Sequence, residues 1–439
     1  MFLPTIPWES FIQMAAVISV PSASVQAGAL SLSDALRIAD ENAISLRISN
    51  AQIEKARQQA NAAKGQLGPK VSLDGTYTRF DKAQTTNFGG TSITTRPIDN
   101  KDAKLNFSMP LDLSGVTGKA IKAAGLSIRV AELNRATTLN TLHQQVKKSY
   151  YDVLQSEGVV KVAEEGVARA QERLNNVRAE LAAGSRARVD VIRLETAKVQ
   201  ADADLITANN FLSLAKSAFN NVLGRAIDTP FELADQPLKR TVAQSASDLF
   251  AVAKENRPEL QALRTQQELT KYLRLAEERG GVPSLNVSAV HDRTFGQGGF
   301  GSSASSTTGV VAISIPLFDS GITRSRVRAA RQDEEQVKLQ LEQSTLGVSL
   351  DVQQAYSTLL NADAREKVAE QQVKLAEETY RLTSLKFDAG EGIPLEVADA
   401  STQLTQAKTQ LVTARYDYLR AIADLERAIG KDLMVEGVR

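Results

Sequence analysis

The chain has 439 residues, enough for two or three ordinary domains or for one elongated body. Lys and Arg total 52 against 51 Asp and Glu, so the overall charge excludes no class of partner but favours neither nucleic acid nor an anionic surface. The absence of cysteine excludes disulfides, Cys-based metal sites and an acylated N-terminal cysteine. Only 5% of residues are aromatic, and this composition, rich in Ala, Leu, Gln and Glu, indicates long, closely packed helices.

Residues 1–27 are predicted to be a signal peptide. The apolar run Phe11–Val20 precedes the small-residue cleavage pattern Val25-Gln26-Ala27, although the first ten residues contain no Lys or Arg. No run of 18 apolar residues follows, so no transmembrane helix is expected. If the mature protein spans a membrane, it must do so with strands.

The chain is predicted to be an internal duplication. Pro69 matches Pro283 at an offset of 214, and the motif Pro-Leu-x-x-Ser-Gly recurs at an offset of 206, at 110–115 and 316–321. Tyr150 and Gly224 match Tyr356 and Gly430 at the same offset of 206. We therefore predict two structural repeats, 28–224 and 247–433, joined by a connector at 225–246 and followed by a tail at 434–439.

Each repeat is predicted to begin with one helix, Ser33–Lys64 and Ser247–Arg279, in which Ser33 and Ser247 are the N-caps. Two short segments with alternating apolar and polar residues then follow and are typical of strands. The segments between them, 81–102 and 295–308, are rich in Gly, Ser and Thr and are predicted to be solvated, mobile hairpin loops.

The four strands are apolar on one face, so they fit either a small hairpin lying on the helices or an outer-membrane barrel wall. Four strands cannot close a barrel and would leave two exposed edges. Closure would therefore require several copies of the chain.

A long helix is predicted after the second strand of each repeat, at Gly118–Leu181 and from Thr323 onward. The first would extend about 96 Å at 1.5 Å per residue. A second helix, Pro394–Ile429, carries two rows of residues spaced by seven, Leu404 to Leu425 and Ala400 to Ala428. Two rows on one helix predict a neighbour on each side, as in a sheet or closed barrel of helices, whereas an ordinary coiled coil needs only one row.

Two Gly-containing turns, AGSRARVDV at 183–191 and AGEGIPLEV at 389–397, reverse the chain between the long helices. Together with IPLFDSGITRSRVRAA at 315–330 and the duplication, they resemble the TolC-type outer membrane efflux family. The resemblance covers roughly Leu32 to Leu433. It implies a mainly α fold with a small β part, in which a long coiled-coil α-helical barrel continues into a transmembrane β-barrel with four strands per chain, closed by trimerisation.

The resemblance further implies a homotrimer in the outer membrane that extends into the periplasm and contacts outer-membrane lipid. It would act as the passive exit duct of a tripartite efflux pump or type I secretion system, with a periplasmic adaptor (membrane fusion) protein and an inner-membrane pump as partners. No nucleic acid, cofactor or metal is expected. The exported substrate and the pump class are not specified by the sequence.

The resemblance places the periplasmic aperture at the turns, and the candidate entrance residues are Asp190, Arg193, Phe387, Glu396 and Asp399. The acids also fit a simpler interpretation, because helix N-termini favour negative charge. Arg193, three residues after Asp190, could pair with it. A family member with a tight gate has Tyr and Arg where this chain has Phe387 and Gly392, so that polar latch is not expected here.

The turns are also the candidate adaptor-docking tip, which comprises Gly184, Ser185, Arg186, Gly390, Glu391 and Gly392. Simple chain reversal is the alternative role of these residues, and close approach of a partner helix is the functional one. No catalytic set is visible, and the only histidines, His143 and His291, are interpreted as incidental. The competing hypothesis for the whole chain is a periplasmic coiled-coil adaptor or scaffold.

Overall fold

The structure is a computed structural model that describes residues 29–234, 244–295 and 305–433. The predicted signal peptide, part of the connector, part of the second loop and the tail lie outside these residues. Within the described residues, no helix combines the length and the apolar character that crossing a membrane requires.

Apart from one extra strand hairpin in the first half, the helices and strands follow the same order in both halves of the chain. The first half contains α1 (Leu32–Asn42), α2 (Ile44–Gly65), β1 (Lys70–Arg79), β2 (Gln84–Phe88), β3 (Thr91–Arg96), β4 (Asp99–Leu111), α3 (Val116–Ala182) and α4 (Arg188–Val222). The second contains α5 (Ala246–Asn256), α6 (Pro258–Glu277), β5 (Ser284–Phe295), β6 (Ser305–Ser314), α7 (Ile322–Asp388) and α8 (Pro394–Ile429). The helices α3 and α7 both have 67 residues, which corresponds to about 100 Å.

The strands form an antiparallel sheet in the order β1-β4-β5-β6. The predicted mobile loop 81–102 is wrong, because β2 and β3 form a separate hairpin there and β4 already begins at Asp99. Gly89 and Gly90 both have positive φ, 61° and 88°, which suits the tight turn of a two-residue hairpin. The flanking Thr residues favour strands, so this signal was present in the sequence.

The long helices lie side by side below the sheet. Near the strands the lateral order is α2, α3, α6, α7, and in the other half it is α4, α3, α8, α7. The two rows on α8 are buried against α3 and α7, as predicted for a helix with two neighbours. By contrast, α4 and α7 are at the lateral edges and expose one apolar face each.

The predicted single helices at the start of each repeat are wrong, because each is broken once. Ala43 and Arg257 leave the helical conformation with ψ of 123° and 119°. Pro258 explains the second break, since the residue before proline is disfavoured in the α region. The first break has no proline and instead lies where Gly224, at the end of α4, packs on Asn42. The N-caps are also two residues earlier than predicted, because Ser31 and Ser245 accept from the backbone N–H of Asp34 and Asp248.

The main core lies where the short helices pack on the middle of the long ones. Tyr150 and Phe219 are fully buried in it, edge to face with ring centroids 6.0 Å apart. The Tyr150 hydroxyl donates to the Leu30 and Ala234 carbonyls, at 3.2 and 2.5 Å. This part of the core therefore attaches the start of the described chain and the connector to the long helices.

Close packing in the same region requires a glycine at the end of α8. Gly430 has φ of 70°, and a Cβ there would lie 3.1 Å from the backbone N and Cα of Arg257. A left-handed residue other than glycine costs about 1–2 kcal/mol before any overlap. We expect Gly430→Ala to lower the free energy of unfolding by about 2 kcal/mol or more, measured as a lower unfolding midpoint in detergent.

The matched control is Gly347→Ala, on an exposed part of α7 where a Cβ meets nothing within 4 Å. Alanine in a helix interior is more favourable than glycine by up to about 1 kcal/mol, so this variant should match or exceed the parent protein. Equal effects of the two substitutions would contradict the packing argument.

Candidate functional site at the hairpin tips

The α3–α4 and α7–α8 hairpins end in similar turns at the same height. Gly184 and Gly390 have φ of 76° and 80°, and a Cβ on either would meet nothing within 4 Å in the described chain. These two glycines are therefore needed for the left-handed turn conformation. Ser185 closes its turn by donating from Oγ to the Glu180 carbonyl at 2.9 Å, and Glu391 is exposed.

Phe387 does not line an aperture in this structure, which corrects the sequence-based assignment. Its side chain is only 1% exposed and packs among Leu174, Val177, Val191, Leu194 and Val397. Since α3 and α4 provide four of these contacts, Phe387 joins the second hairpin to the first.

Two arginines of the first hairpin, Arg173 and Arg186, contact the end of α7 around Phe387. Arg186 Nη2 donates to the Phe387 carbonyl at 2.8 Å, and its guanidinium lies 4.1 Å from the centre of the Phe387 ring. Its Nε also pairs with Glu180 at 2.7 Å. The Arg186 side chain is largely buried, so it is not the solvent-facing docking residue that the turn sequence predicted.

Arg173 on α3 reaches the end of α7 from the side nearer the strands. Its guanidinium pairs with Asp388 at 2.7 Å and lies 6.0 Å from the centre of the Phe387 ring. Burial by itself lowers the pKa of Arg173, but hydrogen bonds to Tyr380 and Asp388 outweigh burial and raise that pKa. We call Arg173, Arg186, Phe387 and Asp388 the arginine clasp. The sequence gives no sign of Arg173 and suggests only a docking role for Arg186, because the partners of both arginines are about 200 residues away along the chain.

Gly392 is buried and belongs to the turn interior, which also differs from the docking role predicted for it. A Cβ there would lie 2.9 Å from the Phe387 backbone N, and its own N–H donates to the Lys386 carbonyl at 3.0 Å. A side chain at this position is therefore incompatible with the observed turn.

The predicted entrance residues are only partly brought together. Asp399 and Arg193 both line a groove of about 540 Å³ between α4 and α8, whereas Asp190 and Glu396 lie outside it. Glu396 is exposed on α8, Asp399 lies one turn further along the same helix, and Asp190 is in the first turn of α4. In the described residues Asp190 and Arg193 form no ion pair, so the suggested partnership is not observed.

The two histidines have local partners away from the tips. His143 Nε2 lies 2.9 Å from Asp40 Oδ1, and His291 Nδ1 lies 2.8 Å from the Thr307 hydroxyl. Among the residues that the structure describes, no group of three or more His, Cys, Asp or Glu is arranged to hold a metal ion.

Comparison with known proteins identifies the family. Residues 35–225 and 249–431 match the family described as outer membrane efflux protein. The chain is 25% identical to outer membrane protein TolC of Vibrio cholerae, over 89% of each chain. It is 22% identical to the proteases secretion protein PrtF of Dickeya chrysanthemi, over 95% of this chain and 92% of that one.

Solved structures of channels share the fold. The CmeC outer membrane channel of Campylobacter jejuni aligns with a TM-score of 0.78 at 14% identity, over 93% of this chain and 87% of that one. The open state of the MtrE channel of Neisseria gonorrhoeae aligns with a TM-score of 0.74 at 21% identity, over 93% and 91%. The family match and the curated relatives favour a channel over the coiled-coil adaptor or scaffold. The chain belongs to the outer membrane efflux protein family, a family of channels and not of enzymes, and it is an efflux channel of the outer membrane.

Proposed function

We propose that this chain forms a homotrimeric exit duct, built from duplicated halves, that passes substrates from the periplasm through the outer membrane. A periplasmic adaptor and an inner-membrane pump would supply the coupling and the energy, as in tripartite efflux or type I secretion. The observation that carries the proposal is that both lateral edges of one chain are open and fit each other at the same height.

The strands leave two open edges. β1 and β6 are the outer strands of the sheet, and each exposes apolar side chains such as Leu73 and Val311. An exposed apolar edge strand is an aggregation hazard in a lone sheet. Pairing β6 of one copy with β1 of the next removes both edges, and three copies would give a closed barrel of twelve strands.

The long helices support the same closure. α4 exposes the row Ile192, Val199, Ile206, and α7 exposes the row Val368, Leu375, Leu382. Both rows have the seven-residue spacing of a coiled-coil seam. The contact between Arg186 and Phe387 sets the two hairpin tips level, so the rows lie within about two residues, roughly 3 Å, of the same height.

A closed ring does not shift its copies along the axis, so α4 of one copy would meet α7 of the next in register. Because the chain has no cysteine, the pair Val199→Cys with Leu375→Cys tests this seam alone. We expect an oxidant to form disulfides between copies and to yield covalent dimers and trimers on denaturing gels.

The matched control is Val199→Cys with Leu346→Cys, because Leu346 is an equally exposed residue of α7 about 40 Å higher along the helix. Such a distance excludes a disulfide. Equal cross-linking of the two pairs, or monomers only from the first, would refute the proposed ring. A monomer that stays soluble without detergent would favour the scaffold hypothesis instead.

The arginine clasp is proposed to hold the periplasmic end narrow. Widening the entrance requires the two hairpins of a chain to move apart, and the clasp joins these hairpins directly. Hydrogen bonds with a charged partner contribute about 1.5–3 kcal/mol, and a cation–π contact contributes about 0.5–2 kcal/mol. Loss of one arginine would therefore shift the balance toward the open state by one to two orders of magnitude.

We expect Arg186→Ala to increase the frequency of high-conductance openings by at least about tenfold in planar bilayers. Arg173→Ala and Asp388→Asn should act in the same direction. Arg178→Ala is the matched control, because Arg178 pairs with Glu195 at 2.6 Å within a single hairpin. Unchanged openings in Arg186→Ala, or equal changes in Arg178→Ala, would exclude the clasp as the closing contact.

Asp190, Glu396 and Asp399 are proposed as an acidic entrance. In the trimer the three acids of each chain would lie near one level and attract cations. We expect Glu396→Gln with Asp399→Asn to reduce cation selectivity and block by divalent cations in single-channel recordings. If selectivity and block both stay unchanged, the acids serve the helix N-termini only.

The exposed part of the tips is proposed to dock the adaptor. After the burial of Arg186 and Gly392, the accessible residues of the original set are Gly184, Ser185, Gly390 and Glu391. The chemistry of the exported substrate does not follow from these residues.

A further inference from the structure

The segment between β6 and α7 exposes two large apolar side chains. Leu317 is 93% exposed and Phe318 is 88% exposed. Leu317 continues the alternating apolar row of β6, in which Val311, Ile313 and the adjoining Ile315 are also exposed. These residues form an apolar projection at the membrane-side end of the helices, and apolar surface of this extent indicates a contact.

Three arginines surround the first two turns of α7 directly below this projection. Arg324, Arg326 and Arg328 lie at positions 3, 5 and 7 of the helix, and none of them is buried. Residues two apart on a helix are rotated by about 200°, so positive charge faces more than one side. In the described part of the chain none of the three forms an ion pair, whereas the nearby Arg274 and Arg331 pair with Glu334 and Glu278.

Helix electrostatics do not account for these arginines. A helix N-terminus carries partial positive charge and favours acids. The helices that begin at the opposite end of the molecule obey this rule, since α4 has Asp190 and α8 has Glu396 in the first turn. The N-termini of α3 and α7 are capped by Asp112 and Asp319, which accept from the backbone N–H groups of Gly118 and Thr323 at 2.7 Å each. Basic residues follow in both helices, Lys119 and Lys122 in α3 and the three arginines in α7, and helix capping does not account for them.

We propose that Leu317, Phe318 and the arginines 324, 326 and 328 form a membrane-surface seat for anionic phospholipids of the leaflet that faces the periplasm. The apolar pair enters the boundary between headgroups and acyl chains, and the guanidinium groups bind headgroup phosphates. The inference rests on the proposed function, because it requires the strands to cross the membrane. The seat would fix the height of the duct in the membrane.

A second copy of the chain is a poorer occupant of this surface. If β6 pairs with β1 of the next copy, the arginines come near the junction of that copy's α2 and β1, where Lys64 and Lys70 are located. Like charges would then face each other. Anionic lipid instead complements both the arginines and these lysines.

Phe318→Trp tests the apolar half of the seat. The chain has one tryptophan, Trp8, so a Trp8→Phe background makes position 318 the only reporter. The trimer is reconstituted in vesicles whose phospholipids carry bromine on the acyl chain near the headgroup. We expect strong quenching of the tryptophan emission of Phe318→Trp, and none for Phe211→Trp, because Phe211 is 64% exposed on α4, far from the strands and outside the two rows of the proposed seam.

Ile313→Trp in β6 distinguishes failure of the seat from failure of the membrane-spanning role of the strands. If the emission of Ile313→Trp is quenched and that of Phe318→Trp is not, the strands cross the membrane but the seat is refuted. Blue-shifted emission from Phe318→Trp without quenching would assign the projection to a contact between copies, which also overturns the proposal. If neither variant is quenched, the membrane-spanning role of the strands fails first, and the seat fails with it.

The arginine half is tested with spin-labelled lipids. We expect spin-labelled phosphatidylglycerol to associate with the trimer at least about twice as strongly as phosphatidylcholine, and salt to reduce this preference. Arg324→Gln, Arg326→Gln and Arg328→Gln together should abolish it. The matched control neutralises Lys367, Lys374 and Arg381, three exposed bases lower on the same helix, and should retain it. No preference in the parent protein, or equal loss in both variants, would overturn the role of the arginines.

Discussion

A single chain of this protein leaves both of its lateral edges open, and the remaining architecture depends on that constraint. α8 buries one apolar row on α3 and another on α7, which is the stable arrangement for a helix with two apolar faces. α4 and α7 have the same kind of rows but a neighbour on one side only. The sheet likewise has a neighbouring strand on one side only at β1 and at β6. Because both layers end on the same two sides, one rotational operation can complete both.

At the tips, the cationic contacts between the two hairpins all come from the first hairpin. Where the family's tight-gated member has an Arg after the second turn, this chain has Gly392, and the Phe387 backbone fills the space that a side chain would need. The cation comes instead from the first hairpin, through Arg173 and Arg186. The proposed closing role therefore rests on a cationic contact that the first hairpin supplies to the second.

The sequence predicted the fold where the periodicity is strong and local. α8 spans Pro394–Ile429 as predicted, and both long helices are within a few residues of their predicted bounds. Prediction failed where tertiary contacts decide the backbone, as at Ala43, which no proline marks and which breaks under the packing of Gly224. The hairpin at 84–96 was missed for another reason, since Gly-rich polar sequence was equated with a mobile loop although Gly-Gly between Thr-rich segments is a turn signal. The candidate site was harder still, because Arg173 and Asp388 are 215 residues apart and no local pattern connects them.

The two ends of the long helices differ in how much their charges reveal about function. At the tips the acids Asp190 and Glu396 agree with the helix dipole, so stability alone would select them and their presence is weak support for a role in the pore. At the strand end, Asp319 already caps the N-terminus of α7, and in the described residues the exposed Arg324, Arg326 and Arg328 form no ion pair. Helix capping therefore does not account for these positive charges, in contrast to the acids at the tips. For a channel of the outer membrane, the anionic surface closest to these arginines is the lipid leaflet at the base of the strands. The local charge distribution therefore indicates a lipid partner, although the nearly balanced total charge does not.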